Sequence, residues 1–109
     1  MIEKKVVLSD EAREDIDDVS DFIIAVSRPS HAERYALEML AELNALSYIA
    51  TILPEPKYSY PKRFHPEAKM MKLHKKPLCA IFHIEGDYVI VDRVVHSSMI
   101  TYWKINPNY

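Results

Sequence analysis

Polar and apolar residues change their rhythm along this chain. IEKKVVL, residues 2–8, reads as a short first strand. From residue 9 the period lengthens. Ala12, Ile16, Val19, Ile23 and Val26 recur at spacings of 4, 3, 4 and 3, the stripe of an amphipathic α-helix. Ser9 precedes it as an N-cap, and Asp10 and Glu11 fill the first turn, where the helix dipole favours negative charge. Ser27-Arg28-Pro29 interrupts the pattern. Ala32, Ala36, Met39, Leu43 and Leu46 then repeat the same spacing, with Tyr35, Leu40 and Ile49 widening the stripe. Ser30 and Glu33 form the S-x-x-E pattern of a capping box, which puts the start of the second helix at Ser30. So short a break makes the two helices antiparallel, a hairpin whose apolar stripes need a further surface to bury against.

The later chain supplies that surface. Residues 54–68 hold four prolines and three aromatics, the composition of an ordered but irregular loop. Lys69 to Lys75 reads as a strand of mixed character. In residues 78–98, LCAIFHIEGDYVIVDRVVHSS, two runs rich in β-branched and aromatic residues flank Glu85-Gly86-Asp87. Gly86 is the only glycine in the chain and stands where a hairpin needs tolerance of positive φ. Regular alternation puts Val89, Val91, Arg93 and Val95 on one face of the last strand, and Tyr88, Ile90, Asp92, Val94 and His96 on the other. Residues 99–109, with Tyr102, Trp103 and Tyr109, read as a short edge strand or a tail packed on a partner.

The sequence is 109 residues long and 49% hydrophobic, enough for one domain, 1–109, with one modest core. A lone Cys79 excludes an internal disulfide and a thiolate zinc cluster, and in a central strand it reads as a small buried hydrophobe. No apolar run is long enough to span a membrane, and no signal-peptide pattern opens the chain, so a soluble cytoplasmic protein is expected. The formal net charge of −2 hides an asymmetry: acids dominate residues 1–56, whereas Lys57, Lys62, Arg63, Lys69, Lys72, Lys75 and Lys76 face a single acid, Glu67, in residues 57–76. One glycine excludes a Gly-rich phosphate loop. His74 and His83 sit where neighbouring strands bring them face to face, but no carboxylate or thiolate spacing completes a metal site, and no cofactor is expected.

Strand, two helices, then antiparallel strands is an α+β order. It predicts a helical hairpin packed on one face of a curved antiparallel sheet. Within that order, Ala12, Asp15, Ile16 and Val19 match the opening helix of the RelE/ParE toxin superfamily. HAERYALEMLAELNAL is similar to its second helix. Phe82, Ile84, Gly86, Asp87, Val89, Val91, Arg93, Val94 and His96 stand at the positions of its C-terminal hairpin. The resemblance covers about residues 3–98 and is carried by the order of these motifs. It implies the toxin of a type II toxin–antitoxin module, neutralised by a cognate antitoxin. RelE-like members cleave mRNA on the ribosome, and ParE-like members inhibit DNA gyrase without nuclease chemistry. The long hairpin and the R-V-V-H ending resemble the ParE branch.

Candidate chemistry divides along the same line. RNA cleavage needs a proton donor, a base and cations for the phosphate. His96 and Arg93 are the catalytic candidates. His96 matches the strand-end histidine of some RelE relatives, but Ser97 follows it where they carry a tyrosine, and Leu78 or Cys79 stands where nuclease members carry an arginine. The bland alternatives are a His96 bonded to nearby backbone or to Asp92, and an Arg93 paired with an acid of the first helix. Arg93 and His96 fall on opposite faces of a regular strand, so a shared site requires a bulge. Lys62, Arg63, Lys69, Lys72, Lys75 and Lys76 are candidates for binding a target or a nucleic-acid backbone, or for docking an acidic antitoxin tail. Tyr58, Tyr60 and Phe64 interleave with them as stacking candidates or as loop core. Gyrase, or the ribosome and its mRNA, are thus the alternative targets, and a homodimer is a further arrangement that an exposed apolar groove permits.

Overall fold

A computed structural model describes residues 3–73 and 78–99. The order is β1 (Lys5–Leu8), α1 (Asp10–Val26), α2 (Pro29–Asn44), α3 (Leu46–Ile49), a 3₁₀ turn at Ala50–Ile52, a second at Tyr60–Arg63, then β2 (Lys69–Lys72), β3 (Leu78–Glu85) and β4 (Tyr88–His96). The strands form one sheet in the order β1-β4-β3-β2. β2, β3 and β4 are antiparallel neighbours, while β1 lies parallel to β4. The sheet is therefore mixed. Side-chain alternation carries no information on strand direction, and the helices between β1 and the later strands supply the long crossover that a parallel neighbour requires. Residues 74–77, the end of the strand expected over 69–75 with His74, Lys75 and Lys76, lie outside the described residues, as do residues 100–109 with Tyr102, Trp103 and Tyr109.

Local chemistry accounts for most boundaries. Ser9 is extended and its Oγ accepts from Ala12 N at 2.9 Å, so α1 begins as expected. The second helix begins one residue before the expected Ser30. Pro29 occupies its first turn, with extended Arg28 as the cap residue and no side-chain cap bond. Proline's fixed φ suits that position and its missing N–H costs nothing there, so Ser30 lies inside the helix and the capping box does not form. Between β3 and β4, Glu85 pairs with Tyr88 across the two-residue turn Gly86-Asp87, and Gly86 takes φ +59°.

Two cores lie on opposite sides of the sheet. The larger packs α1, α2 and α3 on the sheet through Ala12, Ile16, Met39, Leu43, Leu46, Phe82, Val89, Val91 and Val94. The smaller packs the 54–68 loop on the other side through Tyr60, Ala68, Cys79, Ile81 and Val95, with Tyr58, Phe64 and Met70 at its edge. The aromatics of that loop thus fold inward. β3 alternates cleanly between the two cores. β4 does not: Ile81 pairs with Arg93, whereas its neighbour Phe82 pairs with Val91. Asp92 is the extra residue of a β-bulge. Beyond it the parity reverses, so Val94 joins Val89 and Val91 under the helices, and the face assignment by regular alternation fails for residues 93–96.

Candidate functional site

The bulge governs where the candidate residues go. Both Arg93 and His96 follow Asp92, so both change face together and remain on opposite sides of the sheet. Arg93, opposite Ile81, lies on the loop side, with its Cζ 5.7 Å from the centre of the Phe64 ring. Its Nε and Nη2 donate to Asp15 Oδ2 and Oδ1 at 2.7 and 2.9 Å. Asp15 Oδ2 also accepts from Val94 N at 2.9 Å. The Asp15 hydrogen bonds push the guanidinium above its already high ordinary pKa, against the desolvation of partial burial. One carboxylate on α1 thus fixes a side chain and a backbone amide of β4 beyond the point where β1 ends. Ser9 acts at the bulge itself: its N–H bonds Val91 O at 3.0 Å and its hydroxyl donates to Asp92 O at 2.8 Å. Backbone groups that the ladder leaves over are in this way satisfied by α1 and its cap.

Asp92 does not bond His96. Its Oδ2 lies 2.8 Å from Nδ1 of His83, a buried ring whose Nε2 is 3.3 Å from Glu85 Oε2. Asp92 keeps the loop-side face, with Ile90 opposite His83, while His96, beyond the bulge, has crossed to the other. His65 stacks on His83 with ring centres 3.8 Å apart and planes within 2°. Its Nδ1 accepts from Glu67 N at 3.0 Å. The two rings clamp the loop against the sheet. Among the described residues no group of three or more His, Cys, Asp or Glu side chains is arranged to hold a metal ion.

His96 is exposed and lies at the helix-side end of β4. Its Nδ1 accepts from Ser98 N at 3.2 Å and lies 2.7 Å from Ser98 Oγ. With Leu78, Val19, Phe22, Ile23, Tyr35 and Asp18 it lines an apolar groove of about 530 Å³ between the helical hairpin and the sheet. Arg93 is not among the residues that line it.

The basic stretch is divided by the sheet. Lys69 points to the helix side, where its Nζ donates to Leu53 O at 2.8 Å and Ala50 O at 3.4 Å and so caps the end of the α3 segment. Lys72 pairs with Cys79 and takes the loop side. There the Tyr60–Arg63 turn packs beside β2, placing Lys62 and Arg63 near it. Lys62 bonds Pro66 O at 2.9 Å and reaches Glu55 at 3.4 Å, and the Arg63 guanidinium lies 5.5 Å from the Tyr60 ring centre. Sequence reading named Lys62, Arg63, Lys69, Lys72, Lys75 and Lys76 together; Lys69 and Lys72 take opposite faces of β2, and Lys75 and Lys76 lie outside the described residues. The expected pairing of Arg93 with an acid of the first helix is found, with Asp15 as that acid, whereas the His65–His83 stack was left unseen. The visible signal for Asp15 was a carboxylate on the flank of an apolar helical stripe in a chain with one strand arginine.

A family model described as ParE toxin of type II toxin–antitoxin system, parDE, matches residues 6–101. No curated protein matches the chain. Among solved structures, a chain of "Chromosomal ParDE TA system from P. aeruginosa" superposes with a TM-score of 0.73, covering 85% of this chain and 95% of that one at 17% identity. At that identity the match speaks for the fold. No helix among the described residues is long and apolar enough to cross a membrane.

Proposed function

Since this chain belongs to the ParE toxin family of type II toxin–antitoxin systems, we infer that it acts by binding a gyrase-type target and is held in check by a cognate antitoxin. The observation that carries this reading is the separation of its acid–base and anion-binding candidates. His96 opens into an apolar groove on the helix side, while Arg93 departs from the loop-side face of β4 and is locked to Asp15 of α1 past the end of β1. Phosphodiester cleavage asks for a proton donor and a cation within reach of one phosphate. Recognition by surface complementarity asks for no such convergence. Lys62, Arg63, Lys69, Lys72, Lys75 and Lys76 are the residues assigned to the target or to an acidic stretch of the antitoxin.

Supercoiling by purified gyrase tests this directly. Added protein is expected to inhibit it in a dose-dependent way, and co-addition of the antitoxin encoded beside the gene is expected to restore it. Full supercoiling at large toxin excess would sink the proposal. If the protein instead produced ribosome-dependent mRNA cuts in primer extension, and His96→Ala abolished them, the binding mechanism would give way to an interferase.

A further inference from the structure

The stacked imidazoles on the loop side have no part in the proposed mechanism, and their hydrogen bonds impose opposite demands on the two rings. His83 is buried, and both of its ring nitrogens face carboxylates, Asp92 at 2.8 Å and Glu85 at 3.3 Å. An ionised carboxylate only accepts, so a ring bonded to both must carry both protons. His65 needs the reverse. Its Nδ1 accepts from Glu67 N at 3.0 Å, and a backbone N–H can only donate. That bond requires a bare Nδ1, so the seated His65 is neutral with its proton on Nε2. The contact at 3.8 Å therefore lays a neutral ring on a charged one. A proton added to His65 can go only to Nδ1. It takes the acceptor away from Glu67 N and sets two imidazolium rings face to face. The carboxylates of Asp92 on β4 and Glu85 on β3 are already engaged by His83. In the loop, Lys62 bonds Pro66 O at 2.9 Å, beside His65, and adds positive charge. Arg93, over the ring of the adjacent Phe64, is committed to Asp15. Under the loop lie Cys79, Ile81 and Val95 of the sheet, packed with Tyr60 and Ala68.

We propose that the His65–His83 stack is a pH-sensitive clamp, which seats the 54–68 loop on the sheet while His65 is neutral and releases it, uncovering Cys79 and Ile81, when His65 takes up a proton. Histidine is the side chain suited to such a change near neutral pH, and acid favours whichever state of the loop binds the extra proton.

Cys79 is the only cysteine in the sequence and is 1% exposed, so its labelling reports the opening of the loop. The reagent is 4,4′-dithiodipyridine, which labels thiols in mild acid as well as at neutral pH. Rates are divided by that of the denatured chain at the same pH. Between about pH 7.5 and about pH 5.5 the normalised rate is expected to rise about tenfold, within the limit of tenfold per pH unit that a single proton sets, with far-UV circular dichroism unchanged. His65→Asn keeps an acceptor for Glu67 N but has no titratable group, and His65→Phe keeps a flat ring on His83. In both variants the normalised rate is expected to be the same at the two pH values, and either one suffices should the other fail to fold. Equal normalised rates for the natural chain overturn the proposal. A rise that persists in either folded variant also overturns it, since another group then titrates. So does a rise that comes with loss of circular dichroism, because the whole chain then opens rather than the loop.

Discussion

Asp15 shows how much a single side chain carries here. It is mostly buried and accepts bonds from both an arginine and a strand amide. Asp15→Ala leaves the Arg93 charge uncompensated and the Val94 amide without an acceptor. Discounted for the partial exposure of Arg93, the expected loss is about 2 kcal/mol in urea denaturation. In a double-mutant cycle Arg93→Ala should cost less on the Asp15→Ala background than alone, and additive losses would show that the pair is not coupled. Cys79 makes a different prediction. Burial pushes its thiol above the ordinary value of 9.0, opposed by Lys72. The folded chain therefore holds this proton to higher pH than the unfolded chain. Its contribution is fully present below about 9 and is lost as pH rises through the folded value. Stability measured between pH 7 and 10.5 should fall more steeply for the natural chain than for Cys79→Ala, and parallel curves would contradict this.

At the level of elements, boundaries follow from a few capping and turn residues. Gly86 has a positive φ, and a Cβ added there meets nothing within 4 Å. Gly86→Ala should thus cost backbone strain alone, about 1 kcal/mol, and Gly86→Asn less, which thermal denaturation of the two variants would resolve. Ser9→Ala removes both a helix cap and the donor to Asp92 O, and should cost about 1–2 kcal/mol by the same measurement. The helices, the hairpin and its turn were legible because each has a local signature: a 3.6-residue stripe, a capping serine, a lone glycine between alternating runs. The start of α2 was misplaced because two local signals compete there, and the proline's fixed φ prevails over the serine's hydrogen bond. The bulge was not legible. Ser9 and Asp15, which hold it, are distant in sequence, and nothing in V-D-R-V-V marks which residue is extra.

Taken whole, the molecule buries its sheet on both sides, under the helices and under the 54–68 loop. Phe82 lies fully inside the helix-side core, and Phe82→Ala should cost about 3–5 kcal/mol, a large share of the stability of any domain this size. Failure to lower the denaturation midpoint would mean that the core is not packed as described. The site was half legible for a reason of scale. Histidine, arginine and lysines announce themselves by type, but whether they meet depends on which side of the sheet each reaches, and that is decided by a single added residue. The irregularity at Asp92 therefore sets the phase of everything after it. Loss of that one codon would turn the end of the strand inside out, sending the guanidinium into the oily layer and the imidazole under the loop. A point substitution can trim this surface, but a one-residue deletion would invert it.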